Sequence, residues 1–147
     1  MKISYSMFFM FVGSFIIQYL IMPLIMINQS TYFTNNIGKA YLATIMALYM
    51  VLLEVMMHDH QYHVLSLNWY LILAALLTMF TYLYRKQFAV NDEQYIKGMI
   101  EHHSMALQTS EEILKKSDNY DVTKLAKNII QTQTDELRFM TNFLQTH

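Results

Sequence analysis

The stretch TYLYRKQFAVNDEQY, Thr81 to Tyr95, is where this 147-residue chain changes character. Before it the chain is apolar: residues 1–90 hold four basic side chains (Lys2, Lys39, Arg85, Lys86) and two acidic ones (Glu54, Asp59). After it, residues 91–147 hold six basic and nine acidic groups. Tyr82 and Tyr84 followed by Arg85-Lys86 read as the interfacial end of a membrane span. Asn91 or Asp92 then reads as the cap of a water-facing helix, with Asp92 and Glu93 set against its dipole. The fold is all-α, a membrane region over 1–88 and a helical hairpin over 89–147.

Working back from Thr81, three runs are long enough to cross a bilayer, which takes roughly 20 apolar residues. They cover residues 7–27, 37–57 and 64–84. The first is uncharged but contains Gln18 and Pro23, and the third is uncharged with Asn68 and Trp69 near its start. The middle run carries Lys39 at its beginning and Glu54 near its end, so an amphipathic helix lying on the bilayer is its alternative reading. The first run exceeds the apolar length of a signal peptide and no small-residue cleavage site follows it, which marks it as a retained anchor. The composition agrees, with 54% hydrophobic and 14% charged residues against roughly 25% charged in soluble domains. A net charge of −1 gives no electrostatic case for nucleic acid. The absence of Cys excludes disulfides and thiolate chemistry.

Working forward, a periodic segment runs to about Lys116, SDNYD is a turn, and Asp121 offers a cap for a second helix over 122–144. The result is an αα-hairpin. Its second helix presents Val122, Leu125, Ile129, Leu137, Met140 and Leu144 as an apolar stripe. Two helices cannot enclose a core alone, so the stripe predicts a homodimer that completes a four-helix bundle.

Candidate chemistry lies in MIEHHSMA, Met99 to Ala106. Met99 shares a helix face with His102 and His103, whose side chains diverge by about 100°. One of the two therefore faces the bundle interior and the other flanks it. Folding the hairpin about Asn119 sets His102 level with Glu136, Met99 with Phe139 and Met140, and Met105 with Gln133. Thioether with imidazole suits copper, Cu(I) above all, better than iron or magnesium. The candidate metal set is Met99, His102, His103, Met140, Glu136 and Gln133. The competing reading makes the two histidines ordinary packing residues. A second cluster, MMHDHQYH over Met56–His63, brings His58, His60, His63 and Asp59 to a membrane boundary, where they read as a metal or pH-sensing group or as a polar loop. Met22/Met26 and Met46/Met50, at i and i+4 inside spans, read as a soft-metal path or as packing.

These motifs resemble the family called domain of unknown function 305. The resemblance rests on Asp92, Tyr95, MIEHH over Met99–His103, Ala106, and LAKNIIQTQTDELRFM over Leu125–Met140, within which Gln133, Glu136, Leu137 and Met140 hold the family's positions. It covers about 55 residues, and the apolar half looks like that of membrane-anchored members. It implies a ferritin-like helical bundle, with some members binding copper through Met and His. Family domains often hold two hairpins in tandem where this chain has one, which again points to a dimer. The family's usual placement puts the hairpin outside the cytoplasm. Lys39, Arg85 and Lys86, against Lys2 and the α-amine, lean the other way by a small margin.

The expected function is an integral membrane protein whose hairpin binds copper for buffering, storage or delivery, with copper-handling proteins as partners. Its alternative is a metal-free structural or interaction protein whose hairpin docks a partner. With neither a nucleophile–base pair nor a phosphate loop in the sequence, an enzyme is not expected.

Overall fold

The computed structural model describes residues 3–146, and all secondary structure among them is helical. Three helices are long and apolar enough to cross a membrane: α1 (Ile3–Met26), α2 (Ile37–Tyr62) and α3 (Leu67–Arg85). Two further helices, α4 (Asp92–Leu114) and α5 (Tyr120–Thr146), form the hairpin. The chain divides into two compact units, residues up to 22 with 37–89, and residues 23–36 with 90 onward. Between the apolar helices and the hairpin the division falls at Ala89/Val90. The inclusion of 23–36 in the second unit has no counterpart in the periodicity. Lys2, used above in the charge comparison, lies outside the described residues.

In the first unit α2 packs against both α1 and α3. Its Ala43 and Ala47 are fully buried, and small side chains let helices approach closely without a hydrophobic drive from lipid. Met7, Leu48, Val51, Val55 and Leu73 form the centre, flanked by Met10, Phe11, Trp69 and Phe80. α1 widens into a π turn over Ile17–Ile21, where the Met22 N–H reaches back to the Ile17 carbonyl. Pro23 accounts for this: it has no N–H for the carbonyl four residues earlier, so the hydrogen-bond ladder must shift upstream of it. Lys39 is buried at the start of α2 with its ammonium 4.7 Å from the centre of the Tyr19 ring.

The turn between α2 and α3 is held by Asp59. Its carboxylate accepts hydrogen bonds from the Ser66 N–H and the Ser66 hydroxyl, each 2.7 Å long. His63, at φ 51, reverses the backbone there. Such a left-handed position ends a helix, at some cost for a side chain other than Gly.

In the second unit Asn91 caps α4 by accepting the Gln94 N–H at 2.9 Å. At α5 the cap is not Asp121. Asn119 Oδ1 accepts the N–H groups of Asp121 and Val122 at 2.9 and 3.1 Å, so the helix starts one residue earlier than Asp121, at Tyr120. An amide side chain does this as well as a carboxylate. The hairpin core is Ile100, Leu107, Leu137 and Met140, with Ile96, Met99, Ile130, Leu144 and Tyr32 packed on it.

The apolar stripe expected along α5 divides. Leu137 and Met140 are buried and Leu144 packs beside them, whereas Val122 and Leu125 are exposed. Val122 and Met140 are 18 residues apart, five full turns, and share a face, so the stripe divides along the helix, exposed near the turn and buried further along.

Candidate metal centre

The α4–α5 seam positions the paired histidines differently, as their angular separation requires. His102 is exposed, while the His103 side chain is 12% exposed and lies in the seam. Their ring centroids are 6.2 Å apart. The partner of Glu136 is His103, not His102: the His103 Nδ1 lies 3.0 Å from Glu136 Oε2. This contact lies within a turn of the register inferred from the loop, and a difference of one residue along a helix moves a side chain to another face. The contact falls off the line of an N–H···O bond, and Nδ1 is buried without a hydrogen bond. Gln133 Nε2 donates to the same Glu136 oxygen at 3.5 Å.

Burial holds the His103 imidazole below its ordinary value, outweighing the pull of Glu136 in the other direction, and His102 adds to the lowering. The neutral ring that results is the form that ligates metals. Met99 and Met140 belong to the apolar cluster that surrounds this seam, Met140 buried and Met99 at its edge. Phe139, expected beside Met99, instead points outward. The seam thus brings a neutral imidazole beside a carboxylate and an amide, with Met140 and Met99 in the neighbouring apolar cluster; thioether with imidazole would suit a soft monovalent ion. Among the described residues no three His, Asp or Glu side chains gather into a metal-holding group. A site here therefore depends on the thioethers.

The second cluster is arranged differently. His58 lies 3.3 Å from Asp59 and packs at a tilt against Tyr62, ring centroids 4.7 Å apart, while His60 and His63 are exposed. Asp59, the acid that cluster would need, is already occupied by Ser66.

One feature of the hairpin was invisible to periodicity: residues 28–36 lie along one side of α4. The Asn28 N–H donates to the Ser104 hydroxyl at 2.9 Å, and the Thr34 N–H donates to Glu101 Oε1 at 2.7 Å. The Thr34 hydroxyl donates to the Lys97 carbonyl at 2.8 Å, and Asn28 Nδ2 to Glu111 at 3.2 Å. Glu101, inside the MIEHH motif, is therefore buried as an anchor for this linker. A polar residue at Ser104, in the middle of a buried face, was the available signal. The linker and α5 flank a groove of about 550 Å³ lined by Thr31, Tyr32, Thr34, Arg138 and Thr141, which no His or Met reaches. The opposite side of the hairpin is open, with Tyr95, Ile113, Val122, Leu125 and Phe139 exposed.

Residues 80–147 match the family described as Domain of unknown function (DUF305). An uncharacterized protein, L153, of Acanthamoeba polyphaga mimivirus is 26% identical over 136 residues, covering 92% of this chain and 88% of the relative. That likeness therefore extends beyond the hairpin into the apolar helices. No solved structure matches the chain.

Proposed function

We propose that this chain, whose residues 80–147 are a domain of the DUF305 family, is a membrane-anchored protein that binds copper on its hairpin for buffering, storage or delivery. The observation that carries the reading is His103: a neutral imidazole in the seam, its Nδ1 buried and without a hydrogen bond, beside Glu136, in a hairpin whose apolar cluster holds Met140 and Met99. An unsatisfied buried nitrogen costs roughly 1–3 kcal/mol, and a bound ion would offset that cost. His103, Met99 and Met140 would hold the ion, with His102, Glu136 and Gln133 at its margin. On this reading copper is cargo that the hairpin carries.

The open apolar side supports a second copy as the partner that completes the bundle, and Met99 and His102 stand at its edge. Three crossings put the linker 27–36 and the hairpin on one side of the bilayer, in keeping with their grouping in one unit. On this reading that side is extracytoplasmic, where copper-handling partners would meet it.

Anaerobic Cu(I) titration of the purified full-length protein tests the proposal. Binding should raise the melting temperature, because a ligand held only by the folded state stabilises it. His102→Ala with His103→Ala should weaken hairpin binding at least tenfold. Unchanged affinity in that variant would remove the assigned site, and no thermal shift with Cu(I) would favour a metal-free docking protein.

A further inference from the structure

The groove between the linker and α5 takes no part in the histidine seam and lies within the second unit. Its volume of about 550 Å³ falls in the roughly 300–1,000 Å³ range of small-molecule sites. Thr134, Arg138 and Thr141 line it from α5 at i, i+4 and i+7, so they share one helix face. Arg138 is the one charged side chain among the described residues that line it. The Asp135 carboxylate reaches its Nη1 only at 3.9 Å, which leaves most of the five N–H donors of the guanidinium to a ligand. The two threonines have the opposite polarity. Their hydroxyls donate to the Ile130 and Leu137 carbonyls, each at 2.7 Å, so what they can still offer is an acceptor lone pair. The α5 wall therefore asks for an anion at Arg138 with hydroxyl donors about one turn to either side. A polyol phosphate carries both, whereas a simple carboxylate or halide supplies only the anion.

The other wall says where such a group would come from. It is made by the linker, which joins the end of one apolar helix at Met26 to the start of the next at Ile37. Thr34 is three residues from that start, so the chain holds it within about 11 Å of the helix end. The headgroup layer reaches roughly 5–8 Å beyond the hydrocarbon on each side. Tyr32, also on this wall, is a residue type favoured at that level. Ile100 and Leu144 add an apolar part to the lining, which suits an amphiphile better than a free sugar phosphate.

We infer that this groove seats the headgroup of an anionic, hydroxyl-bearing phospholipid. Arg138 takes the phosphate, and Thr134 and Thr141 accept from the headgroup hydroxyls. The inference takes from the proposed function only the membrane crossing, and it needs no copper.

The test uses the full-length, metal-free protein in phosphatidylcholine nanodiscs with and without phosphatidylglycerol. Phosphatidylglycerol should raise the melting temperature by at least about 2 °C, as a ligand of the folded state must. Arg138→Gln should abolish that rise. Arg138 is 72% exposed, so the variant should keep its helix content by circular dichroism. Lys127→Gln, on the same face of α5 three turns away and outside the groove, should leave the rise unchanged. Phosphatidic acid, an anionic lipid without the terminal glycerol, should give a smaller shift, and Thr134→Val with Thr141→Val should erase the difference between the two lipids. Soluble glycerol 3-phosphate in plain phosphatidylcholine discs should give no shift. A rise that survives R138Q, or one that K127Q removes as well, would reduce the effect to general surface charge and overturn the groove. Equal shifts from the two anionic lipids would overturn the role of the threonines, and a shift from glycerol 3-phosphate alone would overturn the lipid source. Failure of the chain to insert into nanodiscs would sink the membrane crossing itself, whereas insertion with no response to phosphatidylglycerol would sink this inference alone.

Discussion

The two sides of the α4–α5 hairpin come from the same pair of helices and differ in what covers them. On one side the 28–36 linker is fastened to Lys97, Glu101 and Ser104 by hydrogen bonds. On the other, Leu125 and Phe139 are 61% and 67% exposed. A polar side with its donors matched is finished within one chain. An apolar side in water is not, because each exposed aromatic or aliphatic group forgoes roughly 1.5–3 kcal/mol of burial. The contrast separates the face that holds the hairpin in place from the face available for assembly, with the His103 seam between them.

The seam itself should give the largest effect. Leu137 is 2% exposed at the centre of the hairpin core. Leu137→Ala should cost about 2–5 kcal/mol through lost transfer energy and the cavity left behind. Thermal denaturation followed by circular dichroism would read it. A loss below about 1 kcal/mol would mean that the two sides are not held together by this seam.

The linker side comes next. Glu101→Ala removes the acceptor of the Thr34 N–H at a buried position, at a cost of about 1–3 kcal/mol. The loss should be local. Residues 28–36 should become accessible to limited proteolysis while α4 and α5 keep their helix content. Protection equal to that of the native protein would show that the linker is held by something other than this bond.

A smaller effect concerns the metal-free seam and pH. His103 has a folded-state value below its usual 6.5, so the folded state favours the neutral ring. The stabilisation is full above about pH 6.5 and declines as pH falls through that value towards the folded-state one, because the unfolded chain takes up the proton first. Denaturation midpoints should therefore drop below about pH 6.5, and His103→Gln should flatten that part of the profile. A profile of the variant parallel to the native one would assign the acid sensitivity elsewhere.

The sequence was most informative where one physical rule acted alone. Length and lack of charge located all three apolar helices, and Asn91 before Asp92-Glu93 located the start of α4. It was less informative where two rules competed. Asn119 and Asp121 are both good caps, and only the backbone decides that Asn119 takes the role. The histidine that meets Glu136 turned on a single residue of register, and a hairpin loop does not fix register to one residue. The linker was the least legible part. Its hold on α4 uses backbone N–H groups of Asn28 and Thr34, which every residue has and no side-chain pattern announces. The consequence for MIEHH is specific: Glu101, the acid between a methionine and two histidines, anchors the linker.

The open side should give the smallest effect on folding and the clearest one on assembly. Leu125 and Phe139 make little contact within the chain, so Leu125→Asp with Phe139→Asp should change the stability of an isolated hairpin by only about 0.5 kcal/mol. If a second copy covers this side, the same change buries two carboxylates against apolar partners, and a buried unpaired charge costs several kcal/mol. The variant should then be monomeric by light scattering in detergent where the native protein is dimeric. Native melting temperature should also rise with protein concentration, as it must when folding and association are linked, and the variant's should not. A native monomer, or a variant that dimerises as well as the native chain, would leave this side to a different occupant and would make the His103 seam a complete site within one chain.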